Sequence, residues 1–243
     1  YKSYFAPRLS ASIINPSHYA SNGYVVFIPD ITYTDGYPGK NAVEAVVAGT
    51  KYVTEKYNLH PEKIGIQGQS WGGYQTAFII TQTNMFKAAM AGAPVSNMTS
   101  AYGGIRWGSG YSRMFQYENT QSRIGKTLWD ATELYSYNSP LFYANQVNTP
   151  LLIMHNDNDG AVPWYQGIEY FVALRRLNKP VWMLTYNNEE HNLRKAPNKE
   201  DLTIRMMQFF DYYLKDAPAP SWLVNGLPAI KKGKEYRYEL IDE

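Results

Sequence analysis

The 243-residue chain contains no cysteine, which excludes disulfides, thiol nucleophiles and thiolate-bound metals together. It says little about compartment, because a core of this size needs no crosslinks on either side of a membrane. No apolar run approaches the ~18–20 residues needed to span a bilayer, so no membrane partner is expected. No signal-like segment follows Tyr1. The chain opens on Tyr-Lys-Ser-Tyr without a Met, and the expectation is that residue 1 is not the natural start. Charge of either sign is also short: the net charge is +2, with acids and bases interspersed. A nucleic-acid partner or a highly charged substrate would need a clustered face, and none is present.

What the chain does have is size and aromatic content. Hydrophobic residues make up 44% and charged residues 18%, a globular composition sufficient for one large domain. Tyr is present 22 times and Trp 6 times, which suits a wide cleft or an interface as well as a core. Short β-forming runs at 24–28, 63–67, 87–91, 151–154 and 181–186 alternate with helical periodicity at 41–57, 72–81, 165–177 and 201–214. That alternation predicts an α/β fold, a mostly parallel sheet flanked by helices. Residues 94–140 form a long aromatic, glycine-rich connection with short helical pieces near 111–117 and 127–135, and connections of that length usually cover a site. Residues 216–243 read as an extended surface tail after a domain spanning 1–215.

Chemistry enters at Gly68-Gln69-Ser70-Trp71-Gly72. A Gly-x-Ser-x-Gly turn has meaning where a strand precedes it and a helix follows, because a sharp strained turn then exposes the hydroxyl. The runs at 63–67 and 72–81 supply both, and Gly68 and Gly72 are expected where backbones approach too closely for a Cβ. Serine at neutral pH needs a base and an orienting acid, which on the α/β-hydrolase fold follow in the order Ser, Asp, His. Of four histidines, His18 and His60 precede the serine and His155 precedes any plausible acid. His191, just beyond the last strand, satisfies the order. For the acid, Asp159, which leads into Gly160-Ala161-Val162-Pro163, is favoured over Asp157, which reads as a local turn former. The backbone N–H of Trp71 is the expected oxyanion donor. Two look-alikes fail: the run His155–Gly160 lacks the first and twelfth ligands of a calcium loop, and residues 36–40 lack the framing residues of a phosphate loop.

The segments Gly68-Gln-Ser-Trp-Gly-Gly-Tyr74, Ala91-Gly-Ala-Pro-Val-Ser96, residues 151–162 and Glu190-His191 together resemble the catalytic domain of the prolyl oligopeptidase family of serine peptidases. The likeness is greatest to its dipeptidyl-peptidase-like and acylaminoacyl-peptidase-like branches, and covers about residues 12–215. It implies a triad of Ser70, Asp159 and His191, no cofactor or metal, and an oligopeptide substrate. It further implies a β-propeller domain upstream that gates entry, and a catalytic domain lacking its first strands in this chain. Trp71, Val95, Tyr102 and Val162 match the family's apolar pocket beside the serine, with Met98 and Trp107 nearby. Ala161 departs from the amide side chain that dipeptide-releasing members carry there. A second oxyanion donor, a tyrosine after an early strand, has only Tyr1 and Tyr4 as candidates. A serine esterase on the same fold and a non-catalytic fragment are the alternative readings. Homo-oligomerisation is left open, and a bacterial periplasmic or secreted setting is the expectation.

Overall fold

A computed structural model describes residues 6–241. Its elements are α1 (Pro16–Ser21), α2 (Pro38–Lys56), β1 (Gly65–Gln69), α3 (Trp71–Gln82), β2 (Ala88–Gly92), α4 (Met98–Tyr102), α5 (Met114–Glu118) and α6 (Thr132–Tyr137). A 3-10 helix (Pro140–Gln146) leads into β3 (Leu151–Met154), α7 (Tyr165–Arg176), β4 (Val181–Leu184) and α8 (Ala196–Lys215). The chain then forms β5 (Ala219–Pro220), α9 (Ser221–Asn225), a 3-10 turn (Ala229–Lys231) and β6 (Leu240–Ile241).

Strands β1 to β4 form one parallel sheet in that order, in register Gly65↔Ala88, Ala89↔Leu151 and Leu151↔Val181. The two-residue period of a strand explains its filling. Ala88, Met90, Leu152 and Met154 face Met206, Phe209 and Phe210 of α8. The residues between them, Ala89, Ala91, Leu151 and Ile153, face Ala77 and Ile80 of α3 and Tyr170 and Leu174 of α7. Every residue of β2 and β3 is buried. These strands therefore read as unbroken apolar runs rather than alternating ones, as a sheet covered on both faces requires.

β1 differs. All five of its residues are only half-buried, and β2 is its one partner among the described residues. Residues 24–28, expected as a strand, join no ladder. They run across a groove of about 630 Å³ from β1, with Val25, Phe27 and Ile28 exposed along its wall. A strand is defined by its neighbour, and no segment of the described chain lies between these two to supply the hydrogen bonds.

Most of residues 216–241 lies exposed or half-buried at the surface, but the stretch is anchored by the buried residues Pro220, Ser221, Trp222 and Leu223. β5 pairs antiparallel with β6, and Trp222 and Leu223 are buried in the cluster beneath α8. Trp222 Nε1 donates to Gln208 Oε1 at 2.7 Å, and the Arg205 guanidinium lies 5.2 Å from its ring. Trp182 Nε1 on β4 donates to the Leu223 carbonyl at 2.8 Å. Trp222→Ala is expected to lower unfolding free energy by about 3–5 kcal/mol, measured by urea denaturation; a loss under about 1 kcal/mol would mark this stretch as a detachable tail.

Candidate active site

Ser70 follows β1 directly and begins α3 at φ +61°, ψ −116°, a conformation that a residue with a Cβ adopts only when its surroundings impose it. The Ser70 N–H donates to the Gly92 carbonyl at 2.8 Å, and the Ser70 carbonyl accepts from Tyr74 N–H at 2.9 Å. A Cβ on Gly68 would stand 2.2 Å from the Gly72 carbonyl oxygen, and one on Gly73 would stand 2.2 Å from that of Gly92. A Cβ on Gly72 would meet nothing within 4 Å. The steric requirement thus falls on Gly68 and Gly73, not on Gly68 and Gly72, because Gly72 contributes backbone to the contact rather than a missing side chain. Trp71 is the first residue of α3, so its N–H has no partner in the helical ladder. Its ring stacks on Tyr74 at 4.3 Å, and its Nε1 donates to the Tyr33 hydroxyl at 3.2 Å.

Asp159 stands beyond the end of β3 and is 4% exposed. Its Oδ1 accepts from the N–H groups of Ala161 (2.8 Å) and Val162 (2.9 Å). Its Oδ2 lies 2.8 Å from His191 Nδ1 and 3.4 Å from His155 Nε2. Burial pushes this carboxyl up, but hydrogen bonds and charge from the two imidazoles outweigh it and hold the group well below the usual carboxylate range. Asp157 turns elsewhere. It accepts from the Asn188 N–H at 2.8 Å and from the Asn187 amide, bracing the loop after β4. Both aspartates cap turn amides, and the one that also meets His191 is Asp159.

His191 sits on that loop, which is tied down from four directions. Gln69 Nε2 donates to the His191 carbonyl at 2.9 Å, and Asn156 Nδ2 to that of Glu190 at 2.7 Å. Leu193 N–H donates to the Ala11 carbonyl at 2.9 Å. Glu189, 2% exposed, accepts from the N–H groups of Arg194 (2.8 Å) and Lys195 (3.0 Å) and from Asn198 Nδ2 (2.6 Å). Burial raises the Glu189 carboxyl, and these donors lower it further than burial raises it. Sequence reading missed Gln69 and Asn156, because their partners are backbone carbonyls of a distant loop, and Glu189, whose partners come together only when the turn after it closes.

Val95, Met98, Tyr102 and Val162 fall in one buried cluster with Tyr74, and Trp71 packs against it. Tyr102 is held by its hydroxyl, which donates to Glu118 Oε1 at 2.5 Å. Trp107 stands apart, 74% exposed near the tip of a hairpin closed by the Ile105–Ser112 bridge, where it approaches Gly160. His60 accepts from Glu62 N–H in a surface turn. Tyr1 and Tyr4 lie outside the described residues.

Gly68→Ala is expected to lower stability by about 1–3 kcal/mol. Gly72→Ala, in open space on a helix, should leave stability unchanged or raise it by up to about 1 kcal/mol; equal losses in thermal unfolding would refute the contact. Glu189 is bound with a lowered pKa, so its stabilisation is full above the unfolded value of ~4.3 and is lost as pH falls through the folded value. Glu189→Gln should therefore flatten the fall in unfolding free energy below about pH 4.5. An unchanged slope between wild type and variant would contradict this.

The sequence profile of the prolyl oligopeptidase family matches residues 10–217. The chain is 31% identical over 204 residues to an uncharacterized peptidase, YuxL, of Bacillus subtilis, covering 83% of this chain and 29% of that protein. It is 30% identical over 173 residues to the acylamino-acid-releasing enzyme of Rattus norvegicus, covering 68% of this chain and 22% of the relative. Among solved structures, the acylaminoacyl peptidase of Pyrococcus horikoshii superposes with a TM-score of 0.67 at 25% identity, over 80% of this chain and 31% of that one. A puromycin-hydrolyzing peptidase of Mycobacterium tuberculosis gives 0.66 at 26% identity, over 72% and 26%. The chain spans less than a third of the length of these relatives. The four-stranded parallel sheet, with Ser70 at its first turn and helices on both faces, is that of an α/β-hydrolase, and the chain belongs to the prolyl oligopeptidase family.

Proposed function

We propose that this chain is the catalytic part of a serine peptidase that hydrolyses oligopeptides through an acyl-enzyme on Ser70. The observation that carries the reading is the 2.8 Å contact of His191 Nδ1 with the buried Asp159 carboxylate, on a loop that Gln69 ties to the Ser70 turn. The carboxylate takes the Nδ1 proton as a hydrogen bond, which leaves Nε2 as the basic nitrogen. His191 Nε2 removes the Ser70 hydroxyl proton as Oγ attacks the scissile carbonyl. The developing oxyanion takes the free N–H of Trp71, and a donor of this kind contributes ~10²–10³ in rate. His191 then passes the proton to the leaving amine, and a water molecule repeats the sequence to release the acid and restore Ser70.

The apolar cluster of Val95, Tyr102 and Val162 beside Trp71 supports a pocket for the residue on the acyl side of the bond. Relatives named as acylaminoacyl and acylamino-acid-releasing peptidases support amide rather than ester substrates. In this proposal the whole protein carries a β-propeller domain that limits entry to oligopeptides.

Ser70→Ala is expected to abolish labelling by a fluorophosphonate probe, and Asp159→Ala to slow it at least ~10³-fold. Persistent labelling of Ser70→Ala would sink the assignment. Turnover of peptide amides beside matched esters separates peptidase from esterase, since an amide-blind enzyme would overturn the substrate class.

A further inference from the structure

The mechanism above leaves one fully buried imidazole without a task. His155 ends the run that β3 begins and is 0% exposed. Its Nε2 lies 3.1 Å from the Val162 carbonyl and 3.4 Å from Asp159 Oδ2. Both neighbours are acceptors, so Nε2 carries a proton toward them. Nδ1 has no hydrogen-bond partner and lies against α7, where a Cβ on Gly167 would come within 2.5 Å of it.

We propose that His155 is a positioning residue for Asp159, the second imidazole of a carboxylate bracketed by two. The contacts form a closed ring: Val162 N–H donates to Asp159 Oδ1, the Val162 carbonyl accepts from His155 Nε2–H, and that N–H also faces Asp159 Oδ2. The ring fixes the plane of the carboxylate, so that Oδ2 is presented to His191 and Oδ1 to the turn. It also sets the place of Val162 in the pocket wall, joining the acid to the acyl pocket through one side chain. A buried apolar residue would fill the space but close no ring. The titratable groups bearing on Asp159 are His155, from the end of β3, and His191, from the loop after β4; α7 contributes the backbone of Gly167.

The inference rests on the Ser70–His191–Asp159 reading, and the test separates the two. The readout is the second-order rate of fluorophosphonate inactivation across pH, with urea unfolding in parallel. Removing the Nε2–H leaves Asp159 with fewer donors, so the carboxylate holds a proton on His191 more strongly and the acid limb of the profile moves to higher pH. His155→Leu is expected to shift that limb up by about 0.5–1 unit and to slow labelling at the plateau ~10-fold. His155→Gln, whose Nε2–H can reach the same acceptors, should keep the limb within about 0.2 units of wild type. An unmoved limb in His155→Leu, or an equal shift in both variants, would overturn the proposal while Ser70-dependent labelling stands. Should the leucine variant fail to fold, His155→Asn, whose amide is too short to reach Asp159, takes its place against His155→Gln. Labelling that survives Ser70→Ala would instead remove the triad on which the inference depends.

Discussion

A carboxylate out of water must have its lone pairs answered, and the geometry around Asp159 follows from that requirement. Two turn amides meet one oxygen and two imidazoles meet the other. Neither oxygen is free to rotate without breaking a contact on the opposite side. The charge is thereby held in a place where, unpaired, it would cost several kcal/mol. The loop carrying His191 is held by groups that never touch its imidazole: Gln69, Asn156 and the buried Glu189.

The sheet determines where these groups can meet. In a parallel sheet all carboxyl ends point one way, and Ser70, Asp159 and His191 leave β1, β3 and β4 at that edge. Ser70 follows its strand at once, while Asp159 and His191 reach back on longer loops. The strained φ at Ser70 is sustained because the turn is wedged between the backbones of β2 and α3, with Gly68 and Gly73 permitting the approach. Backbone strain of this kind persists where packing leaves no alternative.

Sequence reading reached the parts of this arrangement that are local. The elbow announces itself within five residues, and chain order alone selects His191 among four histidines. β2 and β3 were legible because burial on both faces makes them apolar throughout. What depends on distant partners was not legible. Residues 24–28 have the composition of a strand, but pairing needs a neighbour that no local pattern reveals, and none of the described residues provides it. Trp222 lies in a stretch of prolines, glycines and mixed charge, so its burial under α8 could not be inferred from its surroundings. His155 failed the ordering rule for a general base, and its contact with Asp159 arises only when the turn at 159–162 closes on itself. Gly72 looked indispensable beside Gly68 because a motif names both positions, and only coordinates distinguish the one that lacks room from the one that takes it.

The connection from β2 to β3 contributes none of the three side chains at the sheet edge, yet it carries Tyr102, Trp107, the hairpin of Ile105–Ser112 and three short helices. Its two ends are pinned by β2 and β3, whose register is set elsewhere. Loop length here can change at small thermodynamic expense without disturbing Ser70, Asp159 or His191. The lining contributed by this connection and the placing of Ser70, Asp159 and His191 are therefore separable inheritances in this protein: descendants can rewrite the one while the other stays as it is.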